Sequence, residues 1–180
     1  MLRRKAIPMK LRFQESEIAL HAALYAIPRE ETELMALRDI VQKTGDLTKA
    51  QMSLLAKWKS PRSAPRIQKN SEGFIKEVTR FALKCKDHRA RIEALTLLDG
   101  VLWPTASVVL HLFHEEAHPI LDFRALWSVG AKVPSLYNFG LWESYVVFCR
   151  SIANRNKVTM RVLDRDLWRY SKDHQPKDLV

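Results

Sequence analysis

Apolar residues recur at steps of three and four along nearly the whole chain, the period of amphipathic helices. Ile18, Leu20, Ala23, Leu24 and Ile27 form a first stripe that stops at Pro28. Leu34, Leu37, Ile40 and Val41 form a second, with Gly45 placed to cap its C-terminus. Thr48 is a natural N-cap for a helix carrying Met52, Leu54, Leu55 and Trp58. The stretch SPRSAPRIQKNSEG reads as a loop or a broken helix. Ser71 caps a helix with Phe74, Ile75, Val78, Phe81 and Ala82 on one face, and Asp87 caps the next, with Ile92, Leu95 and Leu98. Later helices are expected over roughly 104–115, 123–130, 139–155 and 160–172. In the last of them Asp164 and Trp168 lie four apart, on one face turned to the core. No alternation at period two persists, and five glycines and eight prolines are few for a β-sandwich or barrel. The expected fold class is all-α, a helical bundle.

Length and composition narrow the class further. The 180 residues suit a single domain over 1–180, or two small lobes sharing a core. At 47% hydrophobic residues the chain can bury a core, which excludes general disorder. No apolar run approaches the roughly 20 residues of a spanning helix. The start, MLRRKAIPMKLRF, is basic but lacks an apolar signal core and a cleavage site. Cys85 and Cys149 are too few for a disulfide framework or an iron–sulfur cluster. The expected setting is the cytoplasm, reduced and soluble.

The net charge of +10 points to a polyanionic partner, and its distribution sharpens the point. No acidic residue stands between Asp46 and Glu72, an interval holding Lys49, Lys57, Lys59, Arg62, Arg66 and Lys69. A solvated face is the ordinary reading of such a run. One-signed clustering in a basic chain favours nucleic acid instead. A membrane-binding helix would need a continuous apolar face, which Pro61 and Pro65 interrupt.

The segment from Leu95 to Gly130, LTLLDGVLWPTASVVLHLFHEEAHPILDFRALWSVG, carries the candidate chemistry. One helix ends near Leu98, Asp99-Gly100-Val101-Leu102 makes a tight turn, and a second helix starts at Pro104 or Thr105. Small Ala106 and Ser107 allow close packing of the two helices. Backbone N–H groups around Gly100 and at the second N-terminus suit a phosphate; an ordinary αα-corner explains the same pattern. Asp122 follows the apolar Pro119-Ile120-Leu121 and precedes the helix starting Phe123-Arg124. It is an N-cap by position, and the same position holds a carboxylate ionised at a helix start behind an apolar shield.

Leu98 to Ala106 resembles the helix–hairpin–helix motif of the HhH-GPD superfamily of DNA glycosylases, and Pro119 to Asp122 resembles the segment bearing that superfamily's catalytic aspartate. The two lie in the family's order and spacing, and the match covers 36 residues. The resemblance implies a DNA glycosylase, a hydrolase of base excision repair, with Asp122 stabilising an oxocarbenium ion or activating water. It implies double-stranded DNA as partner of a monomer, phosphate contacts at Gly100, Val101, Leu102 and Thr105, and no cofactor beyond a monovalent cation on the main-chain carbonyls of Thr96, Leu98 and Val101. Lys57, Lys59, Arg62, Arg66 and Arg124 are the expected further DNA contacts, and Trp103, Trp127, Tyr137 and Trp142, with Phe139, candidates to line a base pocket. Trp58, between Lys57 and Lys59, is a second-tier candidate. Two departures matter. Leu102 replaces the second hairpin glycine, and Pro104 stands where strand-cleaving members carry a lysine, so the resemblance is to monofunctional, cluster-free members. The base stays open between an alkylated purine, a mispaired or deaminated base and a bulky phage-type modification, the last implying antiviral defence. A non-catalytic helix–hairpin–helix DNA-binding protein is the alternative.

His114, Glu115 and His118 satisfy H-E-x-x-H, the pattern of a zinc hydrolase, beside His111 and Glu116. Pro119 cuts the pattern short, so an exposed helix end is the expected reading. The C-terminal helices, with Tyr145, Phe148, Arg161, Asp164 and Trp168, are read as closing the bundle.

Overall fold

The computed structural model describes residues 7–176, and the first six residues of the basic start lie outside them. In chain order the helices are α1 (Leu20–Ala23), α2 (Arg29–Ala36), α3 (Arg38–Thr44), α4 (Lys49–Lys59), α5 (Glu72–Lys84), α6 (His88–Leu95), α7 (Trp103–Phe113), α8 (Phe123–Ser128), α9 (Phe139–Arg155) and α10 (Met160–His174). Two 3-10 helices, Glu15–Glu17 and Ala64–Lys69, complete the set, and no strand occurs among the described residues. The fold is all-α. No described helix is long and apolar enough to cross a membrane.

The contacts gather the chain into two units, Ile27–His118 on one side and the residues up to Ala26 with those from Pro119 onward on the other. In the first unit α7 is the central helix. Every residue from Thr105 to Phe113 is buried, and α3, α4, α5 and α6 pack around it. A helix apolar on all sides has no solvent face to offer, so the others surround it. Small Ala106 and Ser107 are fully enclosed, and the Ser107 hydroxyl donates back to the Pro104 carbonyl at 2.8 Å. In the second unit α10 packs against α1, α8 and α9.

The caps read from the sequence form as local chemistry dictates. Thr48 accepts from the Gln51 N–H, Ser71 from Phe74 and Asp87 from Ala90. Gly45 ends α3 at φ 77°, in the left-handed region that glycine tolerates. The stretch read as a broken helix contains the 3-10 helix Ala64–Lys69.

Several stripes are corrected. The helix expected over 18–27 shrinks to the single turn α1, with Ile18 buried but Leu20, Leu24 and Ile27 more than half exposed. The cause is a distant carboxylate: buried Asp166 on α10 accepts the N–H groups of Ala19 at 2.5 Å and Ala22 at 2.7 Å. Ala19 adopts φ 79° to begin the turn there. The stripe 34–41 is interrupted at Leu37, and Ile40 is exposed. On α5, Ile75, Val78 and Ala82 are buried, whereas Phe74 and Phe81 face outward. On α10, Asp164 is buried and Trp168 only half-buried.

Candidate functional site

The hairpin of α6 and α7 forms as expected, with the first helix ending at Leu95 rather than Leu98. Gly100 turns at φ +85°, and a Cβ there would lie 2.9 Å from the Ser63 carbonyl oxygen and 3.2 Å from the Ile67 nitrogen. Only glycine permits both the turn and so close a backbone. The 3-10 helix Ala64–Lys69 is therefore seated directly on the hairpin turn. Buried Asn70, just after it, locks the contact. Its Oδ1 accepts the Asp99 N–H at 2.9 Å, and its Nδ2 donates to the Asp99 carbonyl at 3.0 Å and to that of Ile67 at 3.1 Å. The acid-free interval and the hairpin, separate signals in the sequence, are one surface.

Most cations on that surface face no opposite charge. Lys57, Arg62, Arg66 and Lys69 are exposed and make no ion pair with a carboxylate among the described residues. Lys59 is half-buried, and Lys49 is turned to structural use, donating to the Gln68 carbonyl at 2.8 Å. Among the turn's donors, the Val101 N–H bonds to the Leu98 carbonyl at 3.0 Å and its side chain is buried. Val101 is thus a turn-closing residue, a correction to its expected phosphate contact. The N–H groups of Leu102, Trp103 and Thr105 find no acceptor among the described residues, as the start of a helix requires, and neither does that of Gly100 in the turn. Thr105 is buried as a whole residue, so neither its side chain nor its N–H is presented at the surface, while Leu97 and Leu102 project at 67% and 68% exposure on either side of the turn. Trp103, the first residue of α7, and Trp58 are half-buried. The Thr96 and Val101 carbonyls receive no hydrogen bond among the described residues, whereas that of Leu98 receives one.

Asp122 is the N-cap of α8, and its Oδ1 accepts the Arg124 N–H at 2.9 Å. Pro119, Ile120 and Leu121 before it are buried, so the chain reaches the half-buried carboxylate as an apolar strap. Two side chains absent from the sequence-based site hold that strap. Tyr145 on α9 donates its hydroxyl to the Ile120 carbonyl at 3.4 Å, and Asp164 on α10 accepts the Ile120 N–H at 3.3 Å. Arg161 pairs with Asp164 at 2.6 Å. Burial, then the neighbouring Cys149 and Asp164, push the Tyr145 phenol far above its ordinary range, so it stays a donor. Burial likewise raises the Cys149 thiol, which leaves it inert. Nothing local marks Tyr145 or Asp164; only a polar residue on an apolar face hints at either.

Of the candidate pocket residues, Tyr137 stands near Asp122. Burial first, and then the Asp122 charge, raise its phenol above the usual value. Trp142 is fully buried against Phe139, with ring centroids 6.1 Å apart, so it fills the core and shows no open face. Trp127, at the far end of α8, stacks on Tyr170 at 5.9 Å beneath the Arg12 guanidinium at 4.6 Å.

The histidine cluster departs from the expected exposed helix end. His111, His114 and His118 are all buried. A guanidinium only donates, so His118 Nε2 accepts from Arg91 at 3.2 Å, and its Nδ1 donates to the Glu116 carbonyl at 2.8 Å. His111 Nδ1 donates to the His118 carbonyl, and His114 Nδ1 accepts the Glu116 N–H. Helix α7 ends at Phe113, so the H-E-x-x-H residues share no helix, and buried Arg91, paired with Glu116 at 3.2 Å, opposes a cation there. The zinc reading fails on this geometry: no three His, Cys, Asp or Glu among the described residues are grouped to hold a metal ion.

No protein-family model, no curated protein and no solved structure matches this chain.

Proposed function

We propose that this chain is a monofunctional DNA glycosylase. The observation that carries the reading is the seating of the basic 3-10 helix on Gly100, which puts uncompensated Arg62 and Arg66 on one surface with the hairpin's unpaired N–H groups. Charge without sequence-reading groups, beside backbone donors at a helix start, suits duplex phosphates. Main-chain carbonyls of Thr96, Leu98 and Val101 would hold a monovalent cation, adding positive charge at the same turn.

In this reading the target nucleotide leaves the stack, at a cost of a few kcal/mol, before reaction. The N-glycosidic bond breaks, the base departs with its electron pair and takes up a proton, and positive charge develops on the sugar. Asp122 stabilises that charge and takes a proton from the water whose oxygen adds at C1′, the proton lost by the water balancing the one gained by the base. Tyr145 and Asp164 support the role by holding the strap that delivers Asp122, since a carboxylate displaced by an ångström loses much of its effect. With Pro104 in the hairpin, the reading includes no Schiff base there.

A second reading, a non-catalytic DNA-binding protein, is favoured by one observation: the cap bond to Arg124 already accounts for an Asp at position 122. The experiment that separates the two is base release from duplexes carrying alkylated, deaminated, mispaired or bulky modified bases, read as strand breaks after alkali. Release from one class supports the glycosylase. Tight duplex binding with no release from any class selects the second reading.

A further inference from the structure

Among the described cations of the unit that carries Asp122, some meet carboxylates and others meet aromatic rings. Arg155 meets Glu15, Arg161 meets Asp164 and Arg169 meets Asp173, each within ion-pair distance of a carboxylate. Arg124 and Lys172 meet aromatic rings instead. The Arg124 guanidinium lies 5.1 Å from the centre of the Phe123 ring and 5.9 Å from that of Trp168, and Lys172 Nζ lies 5.1 Å from the latter. Tyr25 stands edge-on to Trp168 at 5.3 Å, with the Arg165 guanidinium 5.5 Å from its own centre. Neither Arg124 nor Lys172 has an ion-pair partner among the described residues.

The difference in partner has a physical consequence. A carboxylate both orients a cation and cancels it. An aromatic face orients it through the ring quadrupole but carries no net charge, so the full positive charge remains for a third party. Long Lys and Arg side chains otherwise give up much rotamer freedom on binding an anion. Stacking removes part of that cost in advance. The array also begins two residues from the candidate acid, because the Arg124 N–H is the one that Asp122 caps.

We propose that Arg124 and Lys172, held on Trp168 with Tyr25 beside it, form a second DNA-binding surface, which grips backbone phosphates flanking the nucleotide processed at Asp122. The inference rests on the reading of the chain as a DNA glycosylase. An anionic membrane is the competing occupant, since Leu20 and Leu24 are exposed on α1. The half-buried rings and the continuity with Asp122 favour DNA.

The test measures affinity of the full chain, as a function of salt, for a duplex containing a tetrahydrofuran abasic-site analogue. Each neutralised phosphate adds about 0.9 to the slope of log affinity against log salt. Exposed Lys172→Gln should lower the slope by about 0.9, and Arg124→Gln with Lys172→Gln by about 1.8, with melting curves showing that each variant is folded. Arg124→Lys should keep the slope but weaken binding, because charge survives and planar stacking does not. A slope unchanged in Lys172→Gln and in the double variant, while Lys57→Ala with Arg62→Ala flattens it, overturns this inference and leaves the glycosylase reading standing. Wild type that fails to bind the duplex overturns both. Lys172-dependent binding to phosphatidylserine vesicles, with no change of slope on DNA, overturns the inference in favour of the membrane.

Discussion

Asn70 and Asp99, 29 residues apart, exchange two hydrogen bonds, the side-chain amide of the first pairing with both backbone groups of the second at 2.9 and 3.0 Å. The amide supplies in one plane the donor and acceptor that a neighbouring strand would supply, at a turn where no strand exists. It also binds the Ile67 carbonyl at 3.1 Å, so one residue joins the end of the basic 3-10 helix to the hairpin.

Asn70→Ala should therefore be destabilising by about 1–3 kcal/mol, the consequence of leaving buried backbone groups without partners. Asn70→Asp keeps the acceptor for Asp99 and loses the donor, adding a carboxylate beside the basic segment. It should reduce duplex affinity more than Asn70→Ala at equal stability. Urea unfolding and salt-dependent binding, measured together, check both statements.

Lys57→Ala, Arg62→Ala and Arg66→Ala combined should flatten the salt dependence of duplex binding by about 2.7, or 0.9 for each phosphate that is no longer neutralised. Stability should change little, since none of the three has a carboxylate partner among the described residues. An unchanged slope would remove this surface from the interface.

Asp122→Asn should lower base release by about a hundredfold to a thousandfold, or about 3–4 kcal/mol of transition-state stabilisation. Asn is itself a good cap, so stability should shift by about 1 kcal/mol or less, and duplex affinity should hold or rise. Borohydride should trap no covalent adduct. Efficient trapping would reveal an amine nucleophile, with exposed Lys132 the first to replace.

Tyr145→Phe removes the hydroxyl that holds the Ile120 carbonyl while keeping the buried ring. Single-turnover base release should fall severalfold with duplex affinity unchanged. Asp122 would be present but less firmly aimed. A fall in affinity instead of rate would mean that Tyr145 serves the fold alone.

Glu15 bonds Arg155 and accepts from Asn156 at 2.7 Å, and these contacts, Arg155 first, lower its carboxyl from 4.5 to about 2. A lowered folded value means the contribution is fully present above pH 4.5 and is lost as pH falls from there toward 2. The pair is exposed, so its worth is small. Carboxyl titration by NMR should place Glu15 near 2 in the wild type and higher in Arg155→Ala, where the Asn156 bond still holds it below its ordinary value.

Caps and helices were legible in the sequence because their causes lie within a turn or two. Thr48, Ser71, Asp87 and Asp122 each bond an N–H two or three residues on, and a stripe at period 3.6 depends on nothing distant. The turn at Gly100 and the cap at Asp122 were legible for the same reason: a left-handed turn and a helix start are local requirements. What only the tertiary structure decided is who stands opposite. Asp166 reaches back 147 residues to shorten α1 and turn Leu20 and Leu24 outward, and Asn70 reaches 29 residues to Asp99. Tyr145 and Asp164 come from 25 and 44 residues away to hold Ile120. Whether a cation meets a carboxylate, as Arg161 does, or a ring, as Arg124 does, follows from the same packing. Hydrophobic burial is non-directional and sets only which faces turn inward; the pairing of polar groups depends on a geometry that exists once the chain has folded.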